Sequence, residues 1–373
     1  MTGLSIAFDH QIFDLQRYGG VSRYFVEIAN ELAQDSSLQV TIEAPLHINE
    51  YLRSVRAPVR STALYVGGIS KVRRLAHAVN AALMPPLLRR RKPDIVHRTY
   101  YAAGQPAVKG ARSVITVYDL IHERLGSGMA HDTPAREKRA AIAEADHAIC
   151  ISESTRRDLI ELFNVDPQKT SVVHLGFSLM PAQDNLALQP PLPLPEREFI
   201  LYVGLRGNYK NFQGLLDAYA ASARLRDRFD IVCFGASPFN AEEHRAIAAT
   251  GARPGAVVHL GGADSVLQQC YQRAAMFVYP SLYEGFGIPP LEAMSFACPV
   301  LCCPVASLPE VVGDAAAFFE PGNVDSLVAA IDRVSTDSAY RAELVRRGTG
   351  RLVHFSWQQC AQQTLRVYQQ VMS

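Results

Sequence analysis

No uncharged apolar run of 18 residues occurs anywhere in the 373-residue chain, so no segment is expected to span a membrane. The N-terminus lacks a basic region followed by an apolar core and meets Asp9 early, which does not read as a secretory signal. Cys-x-x-Cys is absent as well. The seven cysteines, Cys150, Cys233, Cys270, Cys298, Cys302, Cys303 and Cys360, are odd in number, and several sit in apolar strand-like runs. Reduced thiols in a cytoplasmic protein are the expectation. Net charge is scarce too: a formal +1 argues against a dedicated nucleic-acid partner. That small total conceals an asymmetry, because Lys and Arg outnumber Asp and Glu by 22 to 18 in residues 1–180 and fall behind by 15 to 18 in residues 181–373. A dinucleotide fingerprint is missing: Gly285-Phe286-Gly287 lacks the third glycine, and Gly204-Leu205-Arg206-Gly207 has the wrong spacing.

What is present is an alternation of short β-branched runs with helical patterns. Leu4 to Phe8, Val40 to Glu43, Ile95 to His97, Val114 to Val117, Ala148 to Ile151 and Ser171 to His174 predict one parallel α/β sheet. A second series follows at Phe199 to Val203, Ile231 to Phe234, Val257 to Leu260, Met276 to Tyr279, Val300 to Cys303 and Ala317 to Phe319. Between them the weakly patterned stretch Pro181 to Pro195 suits a semi-rigid connector. Two doubly wound halves are expected, with a ligand in the cleft between them, since open α/β sheets bind at the carboxyl ends of their strands. One segment breaks the rhythm: Ile69, Val72, Leu75, Ala76, Val79, Ala82 and Leu83 repeat at helical spacing beside Lys71, Arg73, Arg74 and Arg89-Arg90-Arg91-Lys92. Such a helix either packs on its own sheet with a solvated basic end or rests on an anionic membrane surface.

The richest chemistry lies in Tyr283-Glu284-Gly285-Phe286-Gly287-Ile288-Pro289-Pro290-Leu291-Glu292, which joins an expected strand to an expected helix. Proline suits a first helical turn, where its missing N–H costs nothing, and the remaining free amides and positive dipole end favour an anion. Glu292 could accept from ribose hydroxyls, and Glu284 lies near whatever the phosphate carries; a dipole-complementing acid and a solvated loop acid are the alternative readings. After the first strand of the second half, Arg206 and Lys210 stand four apart in a glycine-containing loop, able to grip a diphosphate or simply exposed there. A third glycine turn, Gly19-Gly20, follows the first strand of the chain and precedes a helical pattern from Val21 to Leu32.

Taken together, these motifs resemble the retaining glycosyltransferases of the GT-B fold, specifically family 4, which use nucleotide-diphosphate sugars. The resemblance covers nearly the whole chain and rests on Gly19-Gly20, on Arg206 with Lys210, on Glu284 with Glu292, and on Phe355-Ser356-Trp357 leading into a final amphipathic helix. It implies an α/β protein of two Rossmann-like domains facing across a cleft: residues 1–178 binding the acceptor, a linker at 179–198, residues 199–356 binding the nucleotide sugar, and a helix at 357–373 completing the first domain. Arg206 and Lys210 would bind the donor diphosphate, Glu292 the ribose, Glu284 with Gly285, Phe286, Gly287 and Ile288 the donor sugar and phosphate, and Gly20 would approach from the acceptor domain. Catalysis would fall to Arg206, Lys210 and Glu284. Family members commonly carry His-Asp after the fourth acceptor-domain strand, whereas this chain has Tyr118-Asp119, with His122 three residues on. Tyr118, Asp119 and His122 are therefore the candidates for orienting the acceptor sugar, although a structural role for His122 is the stronger expectation.

The activity implied is transfer of a hexose, mannose from GDP-mannose being favoured, to a hydroxyl of a glycan or lipid-linked saccharide in surface polysaccharide synthesis. No cofactor or metal is expected: Asp-x-Asp is absent, leaving the cations to do what a divalent ion does elsewhere. A cytoplasmic location, with peripheral contact at the inner face of the cytoplasmic membrane, goes with it. Two alternatives stay open, a nucleotide-sugar epimerase of similar fold and a non-catalytic carbohydrate- or partner-binding module derived from a transferase. The acceptor, the linkage and the oligomeric state are not legible.

Overall fold

All twelve apolar runs become strands, because helices cover both faces of each parallel sheet and leave no solvated side to demand alternation. The computed structural model describes residues 3–66, 70–104, 108–126, 135–177, 194–235 and 237–373, with backbone alone at 70–74. Residues 179–193 of the expected linker lie outside the described residues, as do Ile69 and the side chains of Lys71, Val72, Arg73 and Arg74. Two units divide the chain: Met1–Gly176 with Phe355–Ser373, and Phe177–His354. Among the described residues, no helix is long and apolar enough to cross a membrane.

The first unit holds β1 (Ser5–Phe8), β2 (Gln39–His47), β3 (Arg60–Tyr65), β4 (Ile95–Arg98), β5 (Arg112–Val117), β6 (His147–Cys150) and β7 (Thr170–Val172). They form one parallel sheet in the order β3-β2-β1-β4-β5-β6-β7. β3 is the strand that the sequence does not reveal. It lies at the sheet margin with Arg60, Ser61, Ala63 and Leu64 exposed, so no apolar run marks it. Helix Gly20–Leu32 buries Tyr24, Phe25, Ile28, Ala29 and Leu32, and packs along helix Trp357–Met372, which buries Cys360, Ala361, Thr364, Val367 and Tyr368. Each large apolar side chain so buried contributes about 1.5–3 kcal/mol.

In the second unit, β8 (Phe199–Val203), β9 (Asp230–Phe234), β10 (Val257–Leu260), β11 (Met276–Tyr279), β12 (Val300–Cys302) and β13 (Ala316–Phe318) form a parallel sheet in the order β10-β9-β8-β11-β12-β13. Phe212, Leu215, Leu216 and Tyr219 of helix Phe212–Ala221, with Leu327, Ile331 and Val334 of helix Val324–Thr336, build its core against Ile200, Tyr202, Ile231 and Val278. Chain order reverses between β8 and β11, and between β1 and β4 in the first sheet. At such a reversal the connections from adjacent strands run to opposite faces of the sheet, which opens a crevice at the strands' carboxyl ends.

Candidate active site

At the reversal in the second unit, the loops after β8 and β11 meet. Lys210 closes a short 3₁₀ turn, Asn208–Lys210, whose exit is fixed by Asn211: in the left-handed region at φ 51°, Asn211 caps helix Phe212–Ala221 by accepting from the Gly214 amide at 3.2 Å. From there the Lys210 ammonium donates to Glu284 Oε1 at 2.7 Å and to the Tyr279 hydroxyl at 3.2 Å, and stands 5.2 and 5.4 Å from the ring centres of Tyr209 and Tyr279. The Leu282 amide donates to the Tyr209 carbonyl at 2.7 Å, tying one loop to the other. Side-chain exposures of 17% for Lys210 and 8% for Glu284 leave this pair little solvent screening. Burial, then the Glu284 carboxylate, holds the Tyr279 phenol well above its usual pKa, so it remains a neutral hydrogen-bonding group beside the pair.

The glycine turn after Glu284 is held from below. Ser307, fully buried, directs its hydroxyl to the carbonyls of Glu284 and Phe286, both at 2.8 Å. Gly287 has φ 107° and ψ 63° and starts helix Ile288–Ser295, with Pro289 in its first turn. That φ calls for glycine, and a Cβ there would stand 2.7 Å from Leu308 Cδ2, so the leucine side chain would have to shift as well. One turn on, Glu292 accepts from the Tyr271 hydroxyl at 3.2 Å. Burial, then Glu292 itself, keeps that phenol protonated.

Arg206 goes elsewhere. Its guanidinium pairs with Glu243 at 2.7 Å and bonds carbonyls of the segment after β9, so the structure joins Lys210 to Glu284 but not Arg206 to Lys210. In the first unit, Gly20 begins helix Gly20–Leu32; a Cβ there would meet nothing within 4 Å, so packing does not impose glycine. Tyr118 follows β5, buried edge-on to Tyr24 at 5.9 Å, and its hydroxyl has no hydrogen-bond partner among the described residues. Asp119 accepts from the Ile121 amide at 3.3 Å, and His122 lies in the short helix Ile121–Leu125.

Several hydrogen-bonded polar side chains near the two reversals escape sequence reading. Asp9, Thr99 and Gln11 fill the crevice between β1 and β4: Asp9 Oδ1 accepts from the Thr99 amide at 2.9 Å and hydroxyl at 2.6 Å, and Asp9 Oδ2 from Gln11 Nε2 at 2.5 Å. Asp9 and Thr99 stand directly after their strands, which was the available signal. Tyr279 falls at the end of an expected strand, and Ser307 and Glu243 lie in no motif, so none of the three carried a signal. Among the described residues, no group of three or more His, Cys, Asp or Glu side chains is placed to hold a metal ion.

Comparison with known proteins matches residues 18–179 to Glycosyltransferase Family 4 and residues 187–351 to Glycosyl transferases group 1. The O-antigen chain mannosyltransferase B of Escherichia coli is 34% identical over 230 residues, 59% of this chain and 59% of that protein. The serotype-specific mannosyltransferase WbdA of Escherichia coli is 30% identical over 288 residues, 71% of this chain and 35% of that protein. The chain thus covers less than two thirds of either relative. Solved structures of similar fold include a glycosyltransferase from Rickettsia africae ESF-5, with TM-score 0.71 and 15% identity over 100% of both chains. Anabaena HepE in complex with UDP and glucose has TM-score 0.72 and 15% identity, over 98% of this chain and 99% of that one. With two doubly wound parallel sheets, the fold is GT-B.

Proposed function

The chain belongs to the family 4 glycosyltransferases, and on that premise we propose that it transfers a mannosyl group from GDP-mannose to a hydroxyl of a glycan or lipid-linked saccharide in surface polysaccharide synthesis, with retained anomeric configuration. The observation that carries the transferase reading is the Lys210–Glu284 pair at the β8–β11 reversal, directly before the glycine turn that starts helix Ile288–Ser295. The names of the two Escherichia coli relatives support mannose.

In this reading the bond from the sugar anomeric carbon to the diphosphate oxygen breaks as the acceptor oxygen bonds to the same face, and the acceptor proton passes to the leaving phosphate. Negative charge grows on that leaving group. Lys210 and the amides from Gly285 to Ile288 meet it, in the place a divalent ion takes elsewhere, with no cofactor required. Glu284 holds the ammonium in place and contacts the donor sugar, Glu292 takes the ribose hydroxyls, Gly20 serves in donor binding, and Tyr118, Asp119 and His122 orient the acceptor sugar. Peripheral contact with an anionic membrane belongs to the same reading: helix Ser70–Arg91 buries Ala76, Asn80, Met84 and Leu88 and exposes Leu75, Leu83, Arg89 and Arg90.

Incubating GDP-mannose with a mannose-terminated oligosaccharide and following GDP release with the anomeric signals of the product tests this. The expected result is acceptor-dependent GDP release, an α-linked product from the α-linked donor, and a rate lowered about 10²-fold or more by Lys210→Ala. Sugar conversion without acceptor, or a Lys210→Ala protein of full activity, would overturn it.

A further inference from the structure

The guanidinium of Arg206 spends its donors on a single neighbouring segment. Nε donates to Glu243 Oε1 at 2.7 Å and Nη2 to Glu243 Oε2 at 3.2 Å; Nη2 also reaches the Ser237 carbonyl at 2.5 Å and the Pro238 carbonyl at 3.3 Å, and Nη1 the Gly235 carbonyl at 3.4 Å. Its Cζ lies 4.8 Å from the ring centre of Phe239, and the side chain is only 4% exposed. Glu243 is itself committed. Its Oε2 accepts from the Asn240 amide at 2.8 Å, while Asn240 Oδ1 accepts from the Glu242 and Glu243 amides at 2.9 Å each, a reciprocal cap on helix Ala241–Ala249. Phe239 lies parallel to Phe212 at 6.4 Å, and His259 Nε2 stands 2.9 Å from the Gly235 carbonyl.

Burial raises the Glu243 pKa, but the Arg206 and Asn240 hydrogen bonds outweigh it and bring the carboxyl below its usual value, so the pair stays charged. Swinging Arg206 out toward a phosphate would leave a carboxylate uncompensated and the Ser237 and Pro238 carbonyls short of a donor, a cost that opposes the movement. Position agrees with anchoring. In the sheet order, β9 flanks β8 on the side opposite β11. Lys210 faces the β11 loop and Arg206 the β9 segment, so two cations four residues apart serve opposite flanks of one strand.

We propose that Arg206 and Glu243 are positioning residues, a strut that fixes residues 237–240 as the wall against which the nucleoside of the donor rests, while Lys210 alone of the two cations meets the diphosphate. This rests on the nucleotide-sugar reading of the site. A ligand with its diphosphate at the β8–β11 reversal has residues 237–240 beside it along the carboxyl edge of the sheet, and a loop that must recognise a base has to be held still.

Calorimetric titration of GDP and of inorganic pyrophosphate, into wild type, Arg206→Ala and Glu243→Gln, is the test, with donor kinetics alongside. Glu243→Gln preserves size, so it carries the test if Arg206→Ala does not fold. The strut predicts that each variant weakens GDP about tenfold or more, leaves pyrophosphate within about twofold, raises the KM for GDP-mannose with kcat little changed, and that the double variant is no worse than either single one. The opposite pattern overturns it: Arg206→Ala weakening pyrophosphate as much as GDP and lowering kcat, while Glu243→Gln leaves or improves both affinities, makes Arg206 a diphosphate ligand. Wild type binding none of GDP, UDP or ADP would instead remove the nucleotide-sugar reading, and the strut with it.

Discussion

Lys210 and Glu284 hold each other at 2.7 Å with both side chains mostly buried, so removing either alone leaves a poorly solvated charge behind. In the proposed function, an arriving diphosphate would compete with Glu284 for that ammonium. Beside it, Gly287 is the residue whose identity the backbone dictates. Gly287→Ala should cost about 1–3 kcal/mol in urea denaturation, from the left-handed φ and the clash with Leu308, and should lower turnover by tilting the helix amides. Unchanged stability would mean that the turn relaxes freely. The turn that opens helix Ile288–Ser295 was legible, because Gly285, Gly287, Pro289 and Pro290 mark a close turn running into a first helical turn. The direction of Arg206 was not: its loop contains Gly204 at φ +125° and Asn208 at φ 52°, and no periodicity reports where a side chain points from such backbone. The partner Glu243 lies 37 residues further on, a pairing that a single sequence cannot display.

Among the elements, buried strands with continuous apolar runs were read to within two residues, except that β2 extends four residues beyond its apolar core, and β3, exposed at the margin, was not read at all. The final helix is held to the first sheet by a contact no pattern announces. His97 of β4 lies with Nδ1 2.6 Å from the Tyr368 hydroxyl and Nε2 2.8 Å from the Thr116 hydroxyl. Burial pushes the His97 pKa down to about 3, from 6.5. Because the folded value is the lower one, the unfolded chain binds the extra proton: the contribution of a neutral His97 is complete above pH 6.5 and is lost as pH falls toward about 3, by up to about 1.4 kcal/mol per unit. Stability measured at pH 7 and pH 5 should therefore fall more steeply for wild type than for His97→Gln. Equal slopes would show that His97 does not remain neutral on folding. At the start of the same helix, a Cβ on Gly176 would lie 2.5 Å from the Trp357 amide nitrogen, so glycine there permits the return of the chain.

At the level of the whole molecule, two sheets of the same winding each reverse chain order once, and each reversal carries hydrogen-bonded polar side chains: Asp9 with Thr99 in the first unit, Lys210 with Glu284 in the second. The proposed membrane contact also belongs to this scale. Arg91 pairs with buried Glu43 at 2.9 Å, whereas Arg89 and Arg90 are exposed. Arg89→Ala with Arg90→Ala should reduce co-sedimentation with phosphatidylglycerol vesicles several-fold, each charge being worth about 1 kcal/mol near an anionic surface; unchanged binding would remove the membrane from the account.

The central claim is that Lys210, at the reversal of the second sheet, seats the diphosphate of a nucleotide sugar. Thermal unfolding of wild type and Lys210→Ala with GDP, UDP, TDP or ADP tests it most directly, since it needs no acceptor. One nucleotide, GDP first, should stabilise wild type by about 2.7 kcal/mol at 100 times its dissociation constant, and Lys210→Ala should lose most of that gain at the same concentration. No response of wild type to any of the four, or equal stabilisation of the variant, would contradict it.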